Sequence, residues 1–217
     1  MTTARRTRRV APEDVLTGSS AVYRTGKFIV SVYLGLLHRF RVEGREHLPR
    51  SGGVLIASNH QSFLDIPVLS AATPRHVAFV ARATLAQSRF LAFIMRESGS
   101  VLIRPNTPDR NALEAMIAHL EGGDCVAVFP EGTRTNDGAL GAFRGGAAVA
   151  ARRAGVPILP AAITGAFEAW PRHRSLPRPR AIRVRFGPPF AADVDEPMEQ
   201  ARRVIAEMMG DRARAGG

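Results

Sequence analysis

Apolar positions in this chain come in short continuous runs separated by polar, helix-periodic stretches. The runs VLIAS (residues 54–58), CVAVF (125–129) and ILPAAIT (158–164) are fringed by Gly, Pro and Asn, the pattern of strands buried on both faces. Residues 40–43, 77–81, 101–103 and 182–186 add shorter strand candidates. Between them, apolar spacing near 3.6 predicts helices over 63–70, 89–98, 109–121, 146–154 and 198–209. Strands alternating with helices predict a single α/β domain over 41–217, a mixed or mainly parallel sheet flanked by helices. The run VPILPAAI carries Pro157 and Pro160. Proline cannot donate to a ladder, so this strand is expected at a sheet edge or irregular at its start.

Two segments precede the domain. Residues 1–14 are polar and basic and are expected to be disordered. Residues 15–40 read as an amphipathic helical segment, with Val22, Phe28, Ile29, Val32, Tyr33, Leu36 and Leu37 on a broad apolar face. It suits either a helix packed on the core or one lying in a membrane interface, with Arg24, Lys27 and Arg39 toward headgroups. Its apolar stretch FIVSVYLGLL falls well short of the ~20 residues that span a bilayer. The basic start MTTARRTRRV lacks a closely following signal-type core and reads as uncleaved.

Composition narrows the function classes. With 217 residues, 45% of them hydrophobic, the chain can bury one real core. One cysteine, Cys125, excludes a disulfide framework and any multi-cysteine metal site, and fits a reducing compartment. It lies within an apolar strand and reads as a packing residue. A formal charge of +11 favours a polyanionic partner: nucleic acid, an anionic bilayer or a phosphorylated substrate. Only 6% aromatic residues, and no helix-turn-helix or finger signature, argue against nucleic acid. The stretch 171–185 holds six arginines and no acid, and headgroup contact is expected there, with the adjacent Trp170 packed on the core.

Candidate chemistry collects where strands end. NHQSFLD (59–65) follows the first long run and places His60 five residues before Asp65. On a regular helix such positions diverge by about 140°, so contact requires His60 in the preceding turn and Asp65 in the first helical turn. Ser62 as N-cap of a helix, with S-x-x-D spacing, would fix that turn. FPEGTRT (129–135) ends another strand, where Pro130 and Gly132 force a turn exposing Glu131, Thr133 and Arg134. Arg104 emerges from GSVLIRP (99–105). A guanidinium and a hydroxyl suit phosphate oxygens. No serine or cysteine lies in a nucleophile-elbow setting, which counts against a hydrolase of the α/β type.

Four blocks in order, NHQSFLD, GSVLIR, FPEGTR and VPILPAAI, resemble those of the lysophosphatidate (acylglycerolphosphate) acyltransferases, over roughly residues 41–188. The resemblance implies O-acyl transfer from a thioester, acyl-coenzyme A or acyl-carrier protein, to the hydroxyl of a lysophospholipid, most simply lysophosphatidate to phosphatidate, without a further cofactor. It implies His60 as general base and Asp65 as the group orienting it. Arg104, Glu131, Gly132, Thr133 and Arg134 would bind the acceptor, with Arg82 as an additional cation. The oxyanion donors are not identified by the sequence; backbone N–H groups after His60 are candidates. Where many relatives resemble A-K-x-E-L, this chain has ARATL, with Arg82 and Thr84. That departure keeps another acceptor, such as a lyso-ornithine lipid, as an alternative; a basic membrane- or nucleic-acid-binding module without catalysis is the distant one. The expected location is the cytoplasmic face of a membrane, peripheral or shallowly inserted.

Overall fold

The computed structural model describes residues 21–82, 100–103 and 110–210. The predicted tail 1–14 and helix 89–98 lie outside them. Seven strands form one sheet: β1 (Arg41–Glu43), β2 (Val54–Ser58), β3 (Val77–Arg82), β4 (Val101–Ile103), β5 (Cys125–Val128), β6 (Ile158–Thr164) and β7 (Arg183–Phe186). Their order is β1-β7-β6-β2-β5-β3-β4. β6, β2, β5, β3 and β4 run parallel; β7 is antiparallel to β6, and β1 is parallel to β7. The expected mixed, mainly parallel sheet is what forms.

Alternation within the apolar runs explains how two layers of helix are held. Val54, Ile56, Cys125, Ala127, Leu159 and Ile163 face one core, shared with α1 (Ala21–His38) and α2 (Asp65–Ala72). Leu55, Ala57, Val126, Val128 and Ile158 face the other, under α3 (Arg110–Glu121), α4 (Gly146–Ala154) and α6 (Pro197–Gly210). A strand apolar on successive residues is thus buried on both sides, as a sheet between helices requires. A short α5 (Ala166–Ala169) follows β6.

The strand with two prolines lies inside the sheet, between β7 and β2, rather than at an edge. Ile158 exchanges main-chain bonds with Phe190 (2.8 and 3.0 Å) on the side away from β2. Residues two apart point the same way, so the N–H that Pro160 lacks falls on that side, where only its carbonyl is used, by Gly187 (2.9 Å). The β2 ladder loses nothing.

The α1 helix packs one face on the core and leaves apolar side chains on the other. Leu34 is buried, with Val30 and Tyr33 packed beside it, while Phe28 (70% exposed), Ile29 and Leu36 (79%) face outward. Lys27 is not among the outward groups. Its ammonium donates to the carbonyls of Thr73 and Arg75 just past the end of α2, where a cation is favoured. No helix among the described residues is long and apolar enough to cross a membrane.

Candidate active site

The carboxyl ends of the parallel strands meet at one edge of the sheet, the usual ligand edge of such folds. NHQS leaves β2 there, and each of its residues is tied to a different part of the chain. The Asn59 amide makes two bonds to the main chain of Ile163 on β6 (2.7 and 2.9 Å). His60 donates its N–H to Glu131 Oε1 (2.7 Å) and accepts at its carbonyl from Thr135 N–H (2.9 Å). Gln61 Nε2 donates to the Gly138 carbonyl (2.8 Å), and Ser62 Oγ to that of Trp170 (2.7 Å).

These bonds place the imidazole. His60 Nδ1 lies 2.8 Å from Asp65 Oδ2, and the ring stacks on Phe129 (centroids 4.2 Å apart, 16° between planes). The same carboxylate oxygen accepts from Gln61 N–H (2.6 Å) and Ser62 N–H (2.7 Å). With Oδ2 accepting from Nδ1, the lone pair sits on Nε2, which has no hydrogen-bond partner among the described residues. Asp65 is wholly buried while His60 keeps 19% of its side chain exposed, so the pair opens on one side only. Asp65 Oδ1 is buried without a partner, a cost of roughly 1–3 kcal/mol that the three donors on Oδ2 offset.

Two expectations are corrected. The α2 helix begins at Asp65, and residues 63 and 64 form a turn, so Ser62 works one step earlier: its Oγ accepts Leu64 N–H (3.1 Å) while Asp65 reaches back to Ser62 N–H. The N–H groups of Gln61 and Ser62, the candidates for oxyanion donors, are taken by Asp65. They brace the turn instead.

FPEGTRT packs against this turn. Gly132 adopts φ +72°, a conformation that side chains resist, and its N–H closes the bend onto the Phe129 carbonyl (3.0 Å). Both Glu131 oxygens accept main-chain N–H groups, from His60 and, at 3.0 Å, from Gly141. Burial raises the Glu131 carboxyl above its ordinary value, against the opposing pull of those two bonds. This geometry makes Glu131 a brace between loops. Thr133 is exposed.

Arg134 is held differently. Its guanidinium carbon lies 3.5 Å from the centroid of the Phe63 ring, and its Nη1 is buried with no hydrogen-bond partner. Burial and the neighbouring Arg172 lower its affinity for the proton. Arg82 ends β3 with Ile103 as register partner. The Arg82 side chain, and Arg104 as a whole, lie outside the described residues.

Sequence reasoning passed over Asn59, Phe129 and Phe63, although each lies within a motif it quoted. It also overcounted the basic loop. Arg183 and Arg185 bond Glu43 on β1 (3.1 and 2.9 Å), because the parallel register sets Glu43 opposite Arg185. Trp170 packs on the core as expected, with Nε1 donating to the Arg174 carbonyl (3.0 Å). Cys125 is buried in β5, and burial pushes its thiol up to about 11.

A profile described as Acyltransferase matches residues 39–164. The chain is similar to the chloroplastic 1-acyl-sn-glycerol-3-phosphate acyltransferase LPAT1 of Arabidopsis thaliana, 30% identical over 188 residues, covering 84% of this chain and 52% of that protein. It is also similar to the lyso-ornithine lipid O-acyltransferase of Pseudomonas aeruginosa, 32% identical over 126 residues, 58% of this chain and 48% of that one. The crystal structure of the 1-acyl-sn-glycerophosphate acyltransferase PlsC from Thermotoga maritima aligns with a TM-score of 0.75 at 25% identity, over 89% of this chain and 80% of that chain. The chain spans about half the length of the first curated relatives it matches.

Proposed function

The chain belongs to the acyltransferase family, and from that premise we propose that it moves an acyl group from a thioester to the free hydroxyl of lysophosphatidate, giving phosphatidate. The observation that carries this reading is the His60–Asp65 pair at the carboxyl edge of the sheet, set beside a guanidinium with an unpaired buried Nη1. His60 Nε2 takes the hydroxyl proton as the acceptor oxygen attacks the thioester carbon. The new C–O bond forms, the C–S bond breaks, and the departing thiolate takes the proton back from His60. Hydroxyl and thioester become ester and thiol, a balance that calls for no cofactor or metal. Asp65 keeps the imidazole in the basic tautomer and stabilises it while charged. Arg134 meets the acceptor phosphate, with Thr133 and the turn at Gly132 beside it; Arg82 and Arg104 are assigned to the same edge. The donor is acyl-coenzyme A or acyl-carrier protein.

We place the enzyme peripherally on a membrane, at its cytoplasmic face. The outward apolar residues of α1 and the arginines at 172, 174, 178 and 180 support contact with an anionic leaflet, where each basic residue adds about 1 kcal/mol.

The test is thiol release from acyl-coenzyme A on adding lysophosphatidate, with wild type and His60→Ala in parallel. Release by wild type alone is expected; equal release by both would remove His60 as base. A second reading keeps the chemistry and changes the acceptor to a lyso-ornithine lipid, favoured by the similarity to an enzyme of that name and by ARATL at 81–85. The same assay with that acceptor separates the two, and an acyl-carrier-protein donor in place of acyl-coenzyme A tests the donor.

A further inference from the structure

We propose that Phe63 is a positioning residue for the acceptor: its ring holds the Arg134 guanidinium beside the base, and Trp170 backs the ring. The proposal rests on the reading of Arg134 as the group that meets the acceptor phosphate.

Three observations lead there. The guanidinium lies 3.5 Å from the Phe63 centroid, inside the range of a cation–π contact. Among the described residues Arg134 has no carboxylate or carbonyl partner, and its buried Nη1 is unpaired. A structural arginine would satisfy that donor; one held by a ring keeps its hydrogen-bonding edge open for a ligand. Finally, Phe63 is itself held. Its ring lies 5.3 Å from that of Trp170 at 43°, and Trp170 is pinned at its carbonyl by Ser62 Oγ and at Nε1 by the Arg174 carbonyl.

The arrangement has a consequence for specificity. Phe63 stands three residues after His60 and two before Asp65, within the turn that places the base. One turn therefore sets both the position of the base and that of the cation, and so the separation of hydroxyl from phosphate that the site accepts. A leucine at 63 would fill similar space without a π face. A tyrosine would keep the face.

Phe63 is 49% exposed, so the competing role for it is insertion into lipid. A membrane-free experiment separates the two. Trp170 is the single tryptophan of the chain, and its fluorescence reports on its contact with the Phe63 ring. Glycerol 3-phosphate, a soluble headgroup, is titrated into the full chain as wild type, Phe63→Tyr, Phe63→Leu and Arg134→Ala, with calorimetry as a second readout. Wild type and Phe63→Tyr are expected to bind within about twofold of each other, Phe63→Leu roughly three- to tenfold more weakly, and Arg134→Ala not measurably. In turnover, Phe63→Leu should raise the acceptor KM by that same factor and leave kcat and the donor KM within about twofold.

Wild-type affinity in Phe63→Leu, failure of tyrosine to rescue, or a Phe63→Leu defect seen only with vesicles would each overturn the proposal. Undiminished binding by Arg134→Ala, or none by wild type in either readout, would overturn the phosphate-site reading and this proposal with it. The expected ranking in binding, alongside a wild type inactive on lysophosphatidate, would uphold Phe63 and sink only the acceptor assignment.

Discussion

Two histidine–aspartate pairs in this molecule share one spacing and one contact. His60 with Asp65, and His119 with Asp124, are each five residues apart and each meet at 2.8 Å through Nδ1 and Oδ2. The first pair lies where β2 ends. The second lies where β5 begins, at the opposite end of the sheet, and closes the turn that leaves α3. There the contact is local. Asp124 N–H also donates to the His119 carbonyl (3.0 Å), and a histidine in the last turn of a helix suits its dipole. Asp124 Oδ2 receives His119 alone among the described residues, whereas Asp65 Oδ2 also receives two main-chain N–H groups. The first pair is fixed through Asn59, Glu131, Gln61 and Ser62, and near it lies Arg134, held on the Phe63 ring with an Nη1 that is unpaired among the described residues. A His–Asp contact therefore says little in itself; the end of the sheet and the convergence of other loops make one of them a candidate base.

The widest separation between the pairs should appear in rate. His60→Ala should lower kcat/KM by about 10²–10⁴-fold, and His119→Ala should leave it within about twofold. Comparable losses would dissolve the distinction. Asp65→Asn should cost roughly 10²-fold in kcat by disturbing the tautomer of His60, while Asp124→Asn should change only the urea midpoint, by about 1 kcal/mol in stability. A midpoint shift for both with no rate change for either would make the first pair structural as well.

Glu131→Ala sharpens the comparison, because only the first pair has such a brace. It strands the N–H groups of His60 and Gly141, and kcat should fall about tenfold through misplacement of the base, with KM for the thioester little changed.

The smallest effect belongs to the second region and concerns pH. His76 lies against Tyr23, with ring centroids 4.4 Å apart and planes tilted by 58°, and neither ring nitrogen has a partner among the described residues. Burial lowers its pKa, and His119 and Lys27 act in the same sense while Asp124 opposes them. A histidine whose folded value is depressed binds its proton better when unfolded. Its contribution to stability is thus complete above the ordinary value near 6.5 and is lost as pH falls toward the folded one. Urea midpoints from pH 7.5 to 5 should decline in wild type and decline less in His76→Phe, which keeps the ring contact. Identical slopes would show that His76 does not titrate in that window.

Much of the fold was legible because burial on two faces writes itself into unbroken apolar runs. The bounds of β2, β4, β6 and α4 agree with the expected ones, and those of α3 and α6 fall within a residue or so. The start of α2 was misplaced because Ser62 and Asp65 satisfy a turn as readily as a first helical turn. The interior position of β6 was missed since the side on which Pro160 lacks its N–H depends on register, which a single strand does not reveal. Among the candidate site residues, NHQSFLD and FPEGTRT marked segments that the fold brings together, but their phenyl rings were passed over. Whether a ring packs, stacks on an imidazole or carries a guanidinium is decided by partners 69 and 71 residues away, as at His60–Phe129 and Phe63–Arg134.

By itself, then, the sequence determined the alternation of strands and helices, the basic balance, the absence of a serine or cysteine nucleophile in an elbow, and the polar residues at strand ends. These are local properties, set by periodicity and residue type. Only the tertiary structure decided which of two equally spaced His–Asp pairs faces an open edge, turned Glu131 and the amides of Gln61 and Ser62 into braces, and left Arg134 with a ring in place of a carboxylate. Those outcomes depend on which strand ends become neighbours, and strand order is a property of the whole sheet that no single segment contains.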